Sequence, residues 1–90
     1  MTPFVEIYTT RFCPYCRAAK DLLVRNGVAY KEIDIAANWE RRDEMIRRAN
    51  GQVTLPQIFC GGIHIGGNTE LESWIAAGKL QKLVSGETPG

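Results

Sequence analysis

Two cysteines separated by two residues could carry thiol–disulfide chemistry. Cys13 and Cys16 enclose Pro14 and Tyr15, and the four residues follow an apolar, β-prone segment over residues 4–8 and open a helical pattern. The first N–H groups of a helix lack intrahelical partners, and the helix dipole adds partial positive charge there, which favours a thiolate over a thiol. Pro14 suits the first helical position because its missing N–H loses nothing there. We therefore predict that Cys13 is the nucleophile and that Cys16, one turn further on, closes a disulfide with it.

A structural zinc site is the alternative use of such a cysteine pair, and Cys60 and His64 could complete it. Two features argue against zinc. Cys16 continues directly into a helix-forming segment, where a zinc-binding turn would need flexible residues. Gly61-Gly62 predicts a two-residue hairpin turn that pairs Cys60 with Ile63, so that Cys60 and His64 point to opposite faces of the sheet. We therefore expect no bound metal.

Length and composition are typical of one small globular domain. The chain has 90 residues, a hydrophobic fraction of 44% and a net charge of +1, and it lacks an apolar run of membrane-spanning length. We expect a domain over residues 1–84 with a flexible C-terminal tail over residues 85–90, and a monomer that binds neither nucleic acid nor membranes. Three cysteines do not make a disulfide framework, so the cytoplasm is the expected compartment.

Hydrophobic periodicity and turn residues predict strands that alternate with helices. A strand–helix–strand crossover gives a parallel pair and the glycine hairpin gives an antiparallel pair, so the sheet should be mixed. The predicted fold class is α/β: a thioredoxin fold in a short form, with a mixed four-stranded sheet and helices on both faces. The reactive cysteines then follow the carboxyl end of the first strand, where open α/β sheets place their sites. The predicted strands are 4–8, 28–35, 53–60 and 63–65, and the predicted helices are 14–26, 38–49, 69–78 and 80–84.

The same patterns predict helix caps, core residues and solvated residues. Asn38 should cap the second helix, and Thr69 to Glu72 should form a capping box at the start of the third. His64 is predicted to be a hydrogen-bonded strand residue rather than a catalytic base. The predicted core includes Cys60, Trp39 and Trp74, and the predicted solvated strip consists of Arg41, Arg47 and Arg48.

The chain resembles a glutaredoxin over nearly its whole length. The resemblance is carried, in order and spacing, by C-P-Y-C at residues 13–16, by Thr54-Leu55-Pro56 and by Gly66-Gly67. It implies a glutathione-dependent thiol–disulfide oxidoreductase that reduces protein–glutathione mixed disulfides and protein disulfides. Glutathione would be the co-substrate, and glutathionylated or disulfide-bonded proteins would be the partners. The resemblance also implies that Pro56 follows a cis peptide bond and packs beside Cys13.

Glutathione would lie in a groove beside the reactive cysteine. The backbone of Leu55 would pair with it as a strand does, and Tyr15 would flank the thiol. The amides of residues 68–70 begin a helix and would bind the γ-glutamyl carboxylate, with Glu70 beside the α-amino group. The residues that the resemblance implies for glutathione binding are Arg11, Tyr15, Arg42, Thr54, Leu55, Pro56, Gly67, Asn68, Thr69 and Glu70.

One departure from the family pattern leaves alternatives open. Thr10 occupies the position at which glutaredoxins commonly carry a lysine for the glycine carboxylate of glutathione, and Arg11 or Arg42 could replace it. The first alternative function is therefore a glutaredoxin-like electron donor reduced by thioredoxin reductase. The second is an iron–sulfur carrier in which Cys13 from two subunits and two glutathiones hold a 2Fe–2S cluster, which Pro14 and Cys16 disfavour.

Overall fold

The computed structural model describes residues 4–84, and the predicted tail over residues 85–90 lies outside the described residues. Four strands and four helices alternate broadly as predicted. No helix within this part of the chain is both long and apolar enough to cross a membrane. The elements are β1 (Val5–Thr9), α1 (Pro14–Arg25), β2 (Tyr30–Asp34), α2 (Glu40–Arg48), β3 (Gln57–Cys60), β4 (Ile63–Gly66), α3 (Asn68–Ala76) and α4 (Lys79–Val84).

The strands form one mixed sheet in the order β2-β1-β3-β4. β1 runs parallel to β2, with Val5 opposite Tyr30, and antiparallel to β3. β3 and β4 form the predicted hairpin, in which Cys60 is opposite Ile63 and Phe59 is opposite His64. The mixed sheet and the thioredoxin fold are therefore confirmed, and β1 is one of the two central strands, with its carboxyl end leading into the cysteine motif.

Alternation along the strands sends side chains to two hydrophobic layers. On one face, Val5 and Ile7 of β1 pack with Leu23 of α1 and Leu71 of α3, and Leu80 and Leu83 of α4 complete that layer. On the other face, Tyr8 and Phe59 pack with Met45 and Ala49 at the end of α2. Residues two apart in a strand share a face, so the apolar side chains collect into two layers, and the helices bury each layer. The sheet is thus covered by helices on both faces.

The structure corrects the prediction for α2. The helix begins at Glu40, and its N-cap is Trp39 with no side-chain capping bond, so Asn38 does not cap it. Trp39 was predicted to lie in the core, but it is 67% exposed, with the guanidinium of Arg42 over its ring at 5.2 Å. Trp74 does pack against the core. Trp39 is exposed because it precedes the helix and does not belong to the apolar face that Met45 and Ala49 form.

Arg48 was predicted to be solvated, and this prediction was also wrong. Its guanidinium makes an ion pair with Glu6 of β1 at 2.9 Å and lies 4.1 Å from the ring centroid of Phe59. It also donates to the hydroxyl of Tyr8, which itself donates to Glu44. These contacts fasten α2 to the central strands with charge-assisted hydrogen bonds.

Candidate active site

Cys13 lies at the N-cap of α1, as predicted. Its backbone is extended, with φ −104° and ψ 112°, and its sulfur accepts a hydrogen bond from the N–H of Cys16 at 3.4 Å. The Cys13 thiol donates to the carbonyl oxygen of Leu55 at 3.8 Å. Donation by a helix N–H group stabilises negative charge on the sulfur that accepts it. The peptide bond between Leu55 and Pro56 is cis, as the resemblance implied.

Cys16 has a different environment, although it is only three residues away. It is 2% exposed, whereas Cys13 is partly accessible. Burial raises the pKa of the Cys16 thiol to about 12, although a hydrogen bond with the backbone of Thr10 acts in the opposite direction. At neutral pH Cys16 is therefore a thiol, and the two sulfurs are chemically distinct.

A groove of about 290 Å³ lies beside the cysteine motif. It brings together three segments that are distant in the chain: the start of α1, the loop before β3 and the start of α3. Tyr15 is 66% exposed and forms part of its wall. Eight of the ten predicted binding residues line this groove, namely Tyr15, Thr54, Leu55, Pro56, Gly67, Asn68, Thr69 and Glu70.

The first turn of α3 closes one end of the groove. The helix begins at Asn68 with Gly67 as its N-cap, so the predicted capping box over residues 69–72 is displaced. Glu70 takes the box position, because its carboxylate accepts the N–H of Gly67 at 2.8 Å. The Oδ1 atom of Asn68 is buried and has no hydrogen-bond partner within the described residues. A buried polar atom without a partner at a helix N-terminus is suited to receive a polar ligand group.

The two predicted arginines lie elsewhere. Arg11 lines a second cleft, of about 360 Å³, which both cysteines of the motif also line. Arg42 stacks on the ring of Trp39 and lines neither space. The second cleft is lined by Thr10, Arg11, Phe12, Cys13, Pro14, Cys16, Arg17 and Lys20.

Cys60 and His64 do not converge. Cys60 packs in the layer of Val5 and Ile7, and His64 stacks on Phe59 in the opposite direction, as the hairpin register predicted. Among residues 4–84, no three His, Cys, Asp or Glu side chains are grouped so as to hold a metal ion. His64 also makes the predicted hydrogen bond, since its Nε2 atom lies 2.6 Å from Oε1 of Gln57.

Comparisons with known proteins agree with this arrangement. The family model described as Glutaredoxin matches residues 5–65. A protein named Glutaredoxin from Pseudomonas aeruginosa is 48% identical over 83 residues, which cover 92% of this chain and 98% of that relative. Glutaredoxin 3 from Escherichia coli K12 is 48% identical over 80 residues, covering 89% and 95%. The chain belongs to the glutaredoxin family.

Solved glutaredoxin structures have the same fold. The solution structure of glutaredoxin from Brucella melitensis is 44% identical, with a TM-score of 0.79 over 97% of this chain and 95% of that one. The crystal structure of a buckwheat glutaredoxin–glutathione complex is 25% identical, with a TM-score of 0.82 over 93% and 78%. Family membership and the Cys13–Cys16 pair together identify this glutaredoxin as a thiol–disulfide oxidoreductase.

One part of the glutaredoxin site was missed from the sequence. Lys20 lines the second cleft and makes an ion pair with Glu32 of β2 at 2.9 Å. The hydroxyl of Thr9 donates to the same Glu32 oxygen at 2.7 Å. The bonds from Thr9 and Lys20 lower the pKa of Glu32, and the bond with Glu32 raises that of Lys20. The available signal was the spacing from Cys16 to Lys20, which places both on one helix face.

A second missed group supports the loop that faces Cys13. The side chain of Gln57 is fully buried at the start of β3. Its amide donates to the carbonyl of Thr54 at 3.0 Å and to the Thr54 hydroxyl at 3.2 Å, while its oxygen meets His64. The segment over residues 54–56 is thus held in place by the hydrogen bonds that connect Thr54, Gln57 and His64.

Proposed function

We propose that this glutaredoxin is a glutathione-dependent oxidoreductase that reduces protein–glutathione mixed disulfides and protein disulfides. The observation that carries the proposal is the contact between the Cys13 thiol and the carbonyl of Leu55, a residue that also lines the 290 Å³ groove. A ligand in that groove therefore lies beside the reactive sulfur. The glutathione complex of the buckwheat relative supports glutathione as that ligand.

The groove offers complementary groups for a small peptide. The backbone of Leu55 pairs with the ligand in the manner of an added strand. The N-terminus of α3 receives the γ-glutamyl carboxylate, because the first N–H groups of a helix, here those of Asn68 and Thr69, lack intrahelical partners and the helix dipole favours an anion. Asn68 Oδ1 and Glu70 accept from the α-amino group, and Tyr15 covers the ligand's flank.

The reaction begins at Cys13. Its thiolate attacks the glutathione sulfur of a protein–glutathione mixed disulfide, the bond between that sulfur and the protein sulfur breaks, and the protein leaves as a thiol after taking a proton. A second glutathione thiolate attacks the glutathione sulfur of the Cys13 adduct. Oxidised glutathione is released, and Cys13 returns as the leaving thiolate, which its N-cap position favours.

Protein disulfides follow a dithiol route. Cys13 attacks one sulfur of the substrate, and Cys16 then displaces the substrate from Cys13 to form the Cys13–Cys16 disulfide. Two glutathiones reduce that disulfide. Cys16 can wait as a thiol during the first attack because burial keeps it protonated, so only one sulfur of the pair competes for substrate.

A cation for the glycine carboxylate of glutathione is the remaining requirement. Arg11 is exposed next to the motif, and Arg42 is held at the ring of Trp39, so either supplies the charge only through a movement of its long side chain. The threonine at position 10 is the observation that keeps a second candidate: a donor reduced by thioredoxin reductase.

The proposal also covers the oligomeric state, the compartment and the binding partners of the protein. The chain acts as a monomer in the cytoplasm, binds glutathione as a co-substrate, needs no metal and binds neither nucleic acid nor membranes. A 2Fe–2S cluster would give visible absorbance in protein purified without oxygen, and we expect a colourless preparation.

The test is a coupled assay in which a glutathionylated peptide is reduced by glutathione and the oxidised glutathione is recycled by glutathione reductase. We expect activity in the native chain and in Cys16→Ser, and none in Cys13→Ser. Thr10→Lys should lower the apparent KM for glutathione, because it places a cation at the position where glutaredoxins commonly carry one, next to the cysteine motif. Activity with thioredoxin reductase and none with glutathione would overturn the proposal.

A further inference from the structure

The dithiol route places negative charge on the sulfur of Cys16, and neither the N-cap of α1 nor the 290 Å³ groove stabilises that charge. Cys16 must become anionic as it attacks Cys13, and again when glutathione displaces it from the Cys13–Cys16 disulfide. Its sulfur is almost fully buried, and burial disfavours the anion. The backbone of Thr10 provides one hydrogen bond, so a further stabilising group would accelerate both steps.

We propose that Lys20, held in place by Glu32, is the cation that stabilises negative charge on Cys16 during the dithiol half of the reaction. Lys20 follows Cys16 by four residues in α1, so that both side chains project from the same helix face. Both also line the 360 Å³ cleft. The inference rests on the dithiol route of the proposed function and assigns Lys20 a role distinct from glutathione binding.

The side chain of Lys20 is anchored at its tip. Its Nζ atom lies 2.9 Å from Oε2 of Glu32, and the hydroxyl of Thr9, which is 1% exposed, donates to that same oxygen at 2.7 Å. The pair joins α1 to β2, and it fixes a side chain that would otherwise sample many rotamers. Glu32 is thus a positioning residue that acts through Lys20.

The electrostatic coupling runs in the direction that this role requires. The ammonium of Lys20 acts to lower the pKa of Cys16, and Cys16 in turn acts to raise the pKa of Lys20. Lys20 is 30% exposed at its side chain, so water screens part of the effect. A partly exposed charge of this kind changes a rate by a modest factor rather than by orders of magnitude.

The assisted step is balanced within the established exchange chemistry. The sulfur of Cys16 attacks the sulfur of Cys13 in the mixed disulfide with the substrate. The Cys13–Cys16 bond forms, the bond from Cys13 to the substrate sulfur breaks, and the electron pair leaves with the substrate. The proton lost by Cys16 reaches the departing sulfur through water, so no external oxidant or base is consumed.

A neutral aromatic disulfide, dithiodipyridine, separates the two attacks without glutathione. Attack by Cys13 releases one thiopyridone, and attack by Cys16 on the resulting adduct releases a second, so two phases of absorbance report the two sulfurs in turn. In Lys20→Met the second phase should be slower by about threefold to tenfold, the scale of one partly exposed charge, and the first phase should be unchanged. Lys20→Arg should restore most of the second rate.

Arg17→Met is the matched control, because Arg17 lines the same cleft one residue after Cys16 but is exposed. It should leave both phases at their native rates. An unchanged second phase in Lys20→Met, or an equal slowing by Arg17→Met, would overturn the inference. Slowing of both phases by Lys20→Met would do the same, because the effect would then not be specific to Cys16.

The two proposals fail separately. Loss of glutathione-dependent activity with a normal Lys20 effect in the thiopyridone assay would defeat only the glutathione proposal. Full glutathione activity with no Lys20 effect would defeat only the inference. Thermal unfolding of Lys20→Met and Lys20→Arg, with retained first-phase rates, shows that each variant is folded.

Discussion

Gly66→Ala should weaken both the fold and the groove in which we propose that glutathione binds. Gly66 has φ +121°, in the region that favours glycine. A Cβ atom added there would lie 2.7 Å from Oε1, 2.9 Å from Cγ and 3.0 Å from Cβ of Glu70. Because the near atoms include the root of the Glu70 side chain, a simple rotation of its tip cannot relieve the clash.

The magnitude follows from two terms. A residue held in a sparsely populated backbone region costs about 1–3 kcal/mol. Displacing Glu70 also removes the carboxylate that accepts the N–H of Gly67 at 2.8 Å, and losing such a helix cap costs about 0.5–2 kcal/mol. We therefore expect Gly66→Ala to lower the free energy of unfolding by about 2–4 kcal/mol, a large share of the stability of a small domain.

Urea denaturation measures this loss, and two other glycines serve as controls. Gly27 has φ +67° and open space around it, so Gly27→Ala introduces backbone strain alone and should lose about 1–2 kcal/mol. Gly67 has an ordinary φ of −96°, and a Cβ there would be 3.4 Å from the carbonyl of Pro56, so Gly67→Ala should lose less than either. The apparent KM for glutathione should rise in Gly66→Ala and stay native in Gly27→Ala. Equal stability losses in these two variants would refute the role of the Glu70 contact.

Three further predictions concern the thiols and the charged groups. In the reduced protein at neutral pH, iodoacetamide should alkylate Cys13 well before Cys16, as peptide mass spectrometry would show, because burial keeps Cys16 a thiol. Arg11→Ala or Arg42→Ala should raise the apparent KM for glutathione by about tenfold at most, an effect that shrinks in high salt, and native values in both would remove these arginines from the site. The pKa of Glu32 is lowered by its hydroxyl and ammonium partners, so its contribution to stability is present above the unfolded value of about 4.3 and disappears as the pH falls through the folded value. Glu32→Gln should therefore lower the urea midpoint at neutral pH but not in acid, and an equal loss at both would contradict this.

The catalytic motif and the sheet could be predicted from local sequence. Each of these features depends on residues a few positions apart. A cysteine before a proline marks a helix start, a Gly-Gly pair marks a hairpin turn, and alternating apolar residues mark a strand. The register of Cys60 with Ile63 followed directly from the turn. The groove is different, because it joins residue 15 to residues 54–56 and 67–70, and only the family resemblance connected those segments.

The wrong predictions have two physical causes, which are partners distant in the chain and the position at which α2 begins. Arg48 looked solvated because Glu6, with which it forms an ion pair, is 42 residues away in the chain. Trp39 looked buried because it is large and apolar, yet α2 begins one residue later and leaves it at the surface. Lys20 was missed because its partner Glu32 is 12 residues away in the chain, in β2.

The cap of α3 shows a subtler limit. The T-E-L-E pattern at residues 69–72 satisfies a capping box, but the helix begins earlier, at Asn68. Glu70 instead serves the box that starts at Gly67, so the same carboxylate closes the groove. Two four-residue frames are possible there, over residues 67–70 and 69–72, and the structure has the first.

Trapping the first intermediate tests the central claim most directly. The Cys16→Ser variant is mixed with a glutathionylated peptide in the absence of free glutathione, and the products are identified by intact and peptide mass spectrometry. We predict free peptide thiol and one glutathione attached to Cys13, which added glutathione then removes. A peptide attached to Cys13, or glutathione attached to Cys60, would contradict the account, because the groove would then not direct glutathione to the Cys13 sulfur.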